Sequence, residues 1–290
     1  HLNVGNKNLK RGTNILDVNV PPELRVKHSS GIDWINDALG GEGFTPSTAM
    51  MVTGEPGAGK TTLMLQIADA LTSAGHVALL NSGEESHYQV KMVAERLKLK
   101  HGFIIGQDDK LQDLLEHADQ IRAENPKRQV FILQDSLQTL DDGKYKDGTI
   151  NSASALRCTE ELTNWSKKKV NGRFGIVAFI GQVNKGGQFS GKNGIKHAID
   201  VHAHIYFDRD KKSETYGERL FEVQKNRFGC NGKTYIVGME KDGLHEKGVI
   251  EKGEDLRMKR GYRTCELCTE GNHDEIEKDS DGNVIDPHER

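Results

Sequence analysis

Short apolar runs alternate along this chain with stretches that are apolar on one face only. Ala49–Val52, Val77–Leu80, Val130–Leu133 and Ile176–Ile180 are almost uninterrupted apolar segments of strand length, the pattern of strands covered on both faces. Between the first two, Leu63, Ile67, Ala70 and Leu71 recur at helical spacing, and Gly75 stands where that helix should end. The pattern predicts a strand at 49–53, a helix at 60–74, a strand at 77–81, a helix at 88–98, a short strand at 103–105, a helix at 110–124 and a strand at 130–134. A helix around 154–169 and a strand at 175–180 continue the series. The expected fold is α/β, a mostly parallel twisted sheet flanked by helices. Apolar runs follow near 203–207, 219–224 and 234–238, and the last two predict an antiparallel extension.

The ends have a different composition. Residues 1–25 are polar, close on Pro21-Pro22 and read as an arm or linker that could dock on a neighbouring subunit. Residues 26–247 hold the core. From 248 to 290 the composition predicts a charged and partly disordered tail, with five basic residues between Lys252 and Arg263, then nine acidic against one basic between Glu266 and Glu289. In it, Cys265-x-x-Cys268 with His273 or His288 could assemble a zinc site, but a second close pair of ligands is missing. Asp279, Asp281 and Asn283 begin with the spacing of a calcium loop, yet Val284 replaces the glycine and Arg290 the bidentate glutamate, so calcium is rejected.

Composition narrows the field modestly. A chain of 290 residues suits one α/β core with appendages. The formal charge of −3, from 40 basic and 43 acidic residues, confines any nucleic-acid surface to a local patch. No run of 18 apolar residues occurs and residues 1–20 lack a signal-peptide pattern, so a cytoplasmic protein with no membrane partner is expected. Four cysteines do not make a disulfide scaffold.

The sharpest chemistry is Gly54-Glu55-Pro56-Gly57-Ala58-Gly59-Lys60-Thr61, which fits G-x-x-x-x-G-K-[ST] directly after a strand and before a helix. That context implies a nucleoside triphosphate cradled by backbone N–H groups from Gly54 to Thr62. Lys60 would reach the β and γ phosphates, and Thr61 would ligate Mg²⁺. Asp135, the carboxylate ending the 130–134 strand, is the expected second metal group. Glu84 and Glu85 follow the 77–81 strand, and either can take the proton of an attacking water, Glu84 being the better placed; the alternative is that they cap the next helix. Gln182, after the 175–180 strand, can contact the γ-phosphate and report it to the loop beyond, or serve only as a strand end. That loop, Asn184–His197, carries Lys185, Lys192 and Lys196 among glycines, with Phe189 for stacking; it suits the phosphates of single-stranded DNA, or is simply a solvated loop. Lys167-Lys168-Lys169 reads as a solvated helix end.

His28-Ser29-Ser30-Gly31-Ile32-Asp33, Leu39-Gly40-Gly41, the phosphate loop, Ser82-Gly83-Glu84-Glu85-Ser86, Asp135-Ser136-Leu137-Gln138-Thr139 and above all Lys225-Asn226-Arg227-Phe228-Gly229 resemble, in order and over about residues 25–245, the RecA-like ATPase core of the RadA/Sms family. The resemblance implies ATP with Mg²⁺, a homohexameric ring, translocation on single-stranded DNA as a branch-migration helicase, and a recombinase or other recombination or replication protein as partner. It also implies that Lys225 and Arg227 reach the neighbouring subunit's γ-phosphate. RadA/Sms proteins usually add an N-terminal four-cysteine zinc finger and a C-terminal Lon-like domain; this sequence carries neither, which suggests a minimal core of viral type. Gln182 stands where many members have histidine, and Gln134 interrupts the apolar run before Asp135, so γ-phosphate sensing could differ here. A DnaB-like replicative helicase and a KaiC-like signalling ATPase or kinase that ignores DNA are the competing readings. A non-catalytic nucleotide-dependent module is a third, opposed by intact Lys60, Glu84 and Asp135.

Overall fold

A computed structural model describes residues 12–145, 148–182, 194–229 and 231–251. By compactness the chain divides into His1–Ile250 and Glu251–Arg290, and every described residue except Glu251 belongs to the first unit. Of the expected tail, 248–251 is the end of a strand, and the remainder, with Cys265, Cys268, His273 and His288, lies outside the described residues.

The described residues build one nine-stranded sheet. Its strands are β1 (Ala49–Gly54), β2 (Val77–Ser82), β3 (Ile104–Gly106), β4 (Val130–Asp135), β5 (Ile176–Gln182), β6 (Val201–Phe207), β7 (Arg219–Asn226), β8 (Lys233–Glu240) and β9 (Gly243–Glu251). They lie in the order β3-β2-β4-β5-β1-β6-β7-β8-β9. Pairing is parallel from β3 through β6, whereas β6 with β7 and β7 with β8 are antiparallel. The expected α/β architecture with an antiparallel extension is therefore present. It has one strand more than expected, because β9 over Gly243–Glu251 is interrupted by His245-Glu246-Lys247 and offers no apolar run longer than two residues.

Two packed layers explain the apolar strands. Met50 and Val52 of β1, Ala78 and Leu80 of β2, and Phe131 and Leu133 of β4 face one layer, formed by α1 (Asp33–Ala38), α2 (Lys60–Ser73) and α3 (His87–Arg96). Their neighbours Met51, Val77, Leu79, Val130 and Ile132 face the other, formed by α4 (Leu111–Glu124), α5 (Ser152–Lys167) and α6 (Gly194–Ala198). Successive strand residues point to opposite faces, so a strand buried twice must be apolar throughout.

Local signals set the helix ends. Ser86 accepts a hydrogen bond from Gln89 N while the Gln89 side chain returns one from Ser86 N, a capping box worth about 1 kcal/mol at the start of α3. The cap of α3 is thus Ser86, which leaves Glu84 and Glu85 out of that role. Lys168 and Lys169 are exposed at the end of α5, as expected of a solvated helix end, and reach Asp119 and Glu23 at 3.9 and 3.0 Å, while the less exposed Lys167 reaches Asp200 at 3.7 Å. The segment Gly194–Ala198 is a short helix, so Lys196 stands on α6 and not on a loop. Among the described residues, no helix is long and apolar enough to cross a membrane.

Candidate nucleotide site

The phosphate loop leaves β1 at the C-terminal end of the parallel strands, where open α/β sheets form their clefts. β1 lies between β5 and β6, with Gly54 level with Gln182 on one side and Ile205 on the other. Gly54 is squeezed there: a Cβ would sit 2.2 Å from the Ile205 carbonyl oxygen. Gly59 begins α2 at φ +101°, and a Cβ on it would meet Met239 at 2.9 Å. The loop follows this path because both positions are glycine.

Around the loop is a cavity of about 540 Å³ lined by Gly54, Pro56, Gly57, Gly59, Lys60, Thr61, Thr62, Glu84, Asp135, Ile180, Gln182 and Met239. Lys60 Nζ donates to the carbonyl oxygens of Gly54 (2.8 Å) and Glu55 (3.0 Å). Burial pulls this ammonium below the usual lysine range, against the opposing pull of Asp135, Glu84 and Glu55. Thr61 Oγ1 donates to Asp135 Oδ2 at 2.6 Å. Burial pushes the Asp135 carboxyl up to about 6, with the Thr61 hydrogen bond opposing and Glu84 and Glu85 adding to the rise. A hydroxyl beside a carboxylate that resists its own charge is a donor set suited to a hard cation such as Mg²⁺.

Glu84 is exposed to the cavity, and its Oε1 accepts from Ser136 Oγ and from Gln182 Nε2, each at 2.6 Å. Gln182 therefore engages the carboxylate, a contact its position in the sequence did not disclose. Glu85 is absent from the lining, and one of its carboxylate oxygens is buried without a hydrogen-bond partner. Glu55 and Ala58 also turn away. Glu55 accepts from Phe207 N (3.1 Å) and pairs with Arg209 (2.6 Å), tying the loop to β6, while Ala58 is fully buried. The side chains of these three do not line the cavity, and the part expected of Glu55 and Ala58 is their backbone N–H groups.

Met239, at the end of β8, is a lining residue with no sequence signal. Its hairpin is held over α2 by Gln66, whose amide accepts from Leu244 N (2.9 Å) and donates to Leu244 O (3.2 Å). Only the long-range pairing of β7 with β8 brings this apolar wall to the loop.

Lys225 and Arg227 sit elsewhere. Asn226 pairs with Val201, the first residue of β6, which is level with Met50 near the start of β1. At about 3.3 Å per residue, this is roughly 13 Å of strand away from Gly54, at the opposite end of the sheet. Lys225 Nζ donates to the carbonyl oxygens of Lys196 (2.7 Å) and Ile199 (2.6 Å). Arg227 donates to Asp200 Oδ1 (3.1 Å) and His197 O (3.2 Å). Lys196 is exposed on α6, whereas Lys185, Phe189 and Lys192 lie outside the described residues.

With this geometry in place, known proteins can be compared. RadA of Bacillus subtilis, a DNA repair protein, is 31% identical over 233 residues, 80% of this chain and 47% of that protein. The DNA repair protein RadA of Streptococcus pneumoniae is 33% identical over 214 residues, 73% of this chain and 46% of that one. Over these stretches the chain is similar to RadA DNA repair proteins. It spans about half the length of the RadA proteins it matches. No protein-family profile matches the chain. Among solved structures, the ATPase domain of G40P superposes with a TM-score of 0.63 at 16% identity, covering 77% of this chain and 92% of that domain. A KaiC-like protein from Pyrococcus horikoshii gives 0.59 at 14% identity, over 77% and 99%. These two likenesses establish the fold alone.

Proposed function

We propose that this RadA-like core hydrolyses ATP with Mg²⁺ to drive movement along single-stranded DNA, as a ring of identical subunits acting in recombination. The observation carrying this reading is the convergence of Lys60, Thr61, Asp135 and Glu84 on one cavity, with the Lys225–Arg227 pair at the far end of the same sheet.

In this reading Lys60 exchanges its own loop's carbonyls for phosphate oxygens, and the N–H groups at the head of α2 complete the cradle. Thr61 and Asp135 would hold Mg²⁺, which supplies charge neutralisation at the phosphates. Glu84 accepts the proton of the attacking water, aligned by the hydrogen bonds it receives from Ser136 and Gln182. Lys225 and Arg227 are too far from their own phosphate loop to serve it. A neighbour's site, met head to tail in a ring, is the one they could complete, and cations supplied in trans are worth about 10³–10⁵ in phosphoryl-transfer rate. Lys196 would stand with the loop lysines on the DNA side.

The test is steady-state ATP turnover with and without single-stranded DNA, with mass photometry on the same samples. The reading expects a multi-subunit ring, stimulation by DNA, and a loss of about 10²-fold or more in Glu84→Gln. Turnover indifferent to DNA would remove the motor and favour a signalling ATPase. Full activity in Glu84→Gln would remove the general base.

A further inference from the structure

At the end of the sheet opposite the phosphate loop is a second cleft, lined by Arg122, Arg128 and Arg173 with Asn125 and Asn171, and by no carboxylate among the described residues. It opens where β4 and β5 begin, beside Val130 and Phe174. Arg122 is the unusual member. It belongs to the last turn of α4, is only 5% exposed, and neither Nη1 nor Nη2 has a hydrogen-bond partner. Asp119 stands 3.7 Å from Nη1, beyond hydrogen-bond length, and accepts instead from Trp165 Nε1 at 2.8 Å. The guanidinium lies over the Trp165 ring, 3.6 Å from its centre. Burial lowers it to about 10, which leaves it charged at neutral pH. A buried charge without hydrogen bonds is costly, and an aromatic face offsets only part of that cost.

Its neighbours repeat the sign. Arg128 donates Nε to Gly75 O at 3.0 Å and Nη2 to His76 O, so carbonyls fix it with Nη1 still to place. His28 and His76 pack edge to face nearby, and both are held below the ordinary histidine range, first by burial and then by each other or by these arginines. Glu23, the closest acid on the N-terminal arm, is taken by Lys169 at 3.0 Å.

We propose that this cleft is a second phosphate site, in which Arg122, Arg128 and Arg173 together bind one phosphate group, either free or in a nucleic-acid backbone. Three arginines line one cleft that no carboxylate of the described residues lines, with Asp119 3.7 Å from Arg122 behind it, and arginine forks bind phosphate oxygens in pairs. The interior is narrow, about 10 Å³, so one phosphate oxygen enters toward Arg122 while the rest stays at the mouth with Arg173. A nucleoside has no room inside.

The test titrates inorganic phosphate into the full chain in a Trp34→Phe background, which leaves Trp165 as the sole tryptophan and places the reporter against Arg122. The expected result is a saturable fluorescence change that persists in Lys60→Ala and is weakened about fivefold or more in Arg173→Ala. Arg122→Met should abolish it but could impair folding, so the half-buried Arg173 is the decisive variant. An oligodeoxythymidylate that displaces the phosphate signal would assign the site to a nucleic-acid backbone; failure to displace it would assign the free ion. No saturable change, or superimposable curves for wild type and Arg173→Ala, would overturn the proposal.

Discussion

The two ends of the sheet solve opposite electrostatic problems. At the phosphate-loop end, Thr61 donates to Asp135, Ser136 and Gln182 donate to Glu84, and Lys60 donates to the loop's own carbonyls, so each carboxylate is matched by a donor inside the cavity. At the far end the cations outnumber their partners: Lys225 rests on backbone carbonyls, Arg227 shares Asp200 with Lys167, and Arg122 has no hydrogen bond for its Nη atoms. In the proposed function, the first end would work on a ligand that brings its own charge and metal. Among the described residues, the second holds cations that carbonyls and shared carboxylates meet only in part. One subunit therefore carries a nearly complete set of groups for phosphate chemistry at one end and cations lacking a substrate at the other.

The comparison can be broken by removing one end at a time. The largest effect is expected from Lys225→Ala with Arg227→Ala, which should lower turnover by about 10³-fold while leaving nucleotide affinity within a few-fold, because the pair does not line its own subunit's cavity. Equal losses in affinity and turnover would mean damage to the fold. Asp135→Asn should act in two directions. It should abolish Mg²⁺-dependent turnover, yet stabilise the metal-free protein at pH 7 by about 1–3 kcal/mol. The sign follows from a folded carboxyl raised from 3.8 to about 6: the penalty for ionising it is fully present above pH 6 and disappears below pH 4. Urea unfolding of both proteins across that range checks it, and a constant difference would refute the assignment. The smallest effect belongs to Gln66→Ala, which frees Leu244 and loosens the Met239 wall. About 1 kcal/mol of stability and a few-fold rise in nucleotide KM are expected, with kcat unchanged.

Much of the first end was legible in the sequence because its signals are local. Eight consecutive residues announce the phosphate loop, and Asp135 closes an apolar run. Ser86 with Gln89 is readable as a capping box, which separates Glu84 from the helix start. Glu84 was preferred to Glu85 from the sequence, whereas its bonds to Ser136 and Gln182 needed the neighbouring strand ends, and the outward turn of Glu55 needed β6 beside it. Met239, Gln66 and Arg122 were invisible, since each matters through contact with a residue distant in sequence: Gly59, Leu244 and Trp165 respectively. The first residues of β6 were missed because His202 and His204 interrupt its apolar pattern, both turned toward Thr53 Oγ1 at 2.8 and 2.9 Å. β9 escaped because most of its side chains are exposed.

The central claim, that each subunit's cations complete a neighbour's nucleotide site, is tested most directly by mixing two inactive proteins. Lys60→Ala lacks a working phosphate loop and retains the cations; Lys225→Ala with Arg227→Ala has the reverse defect. Co-assembled in equal amounts, they should recover activity, because roughly a quarter of randomly formed head-to-tail interfaces would join an intact loop to intact cations. Recovery to about that fraction of wild-type turnover is the predicted result. Mixed rings that form but stay as inactive as either parent would contradict the account.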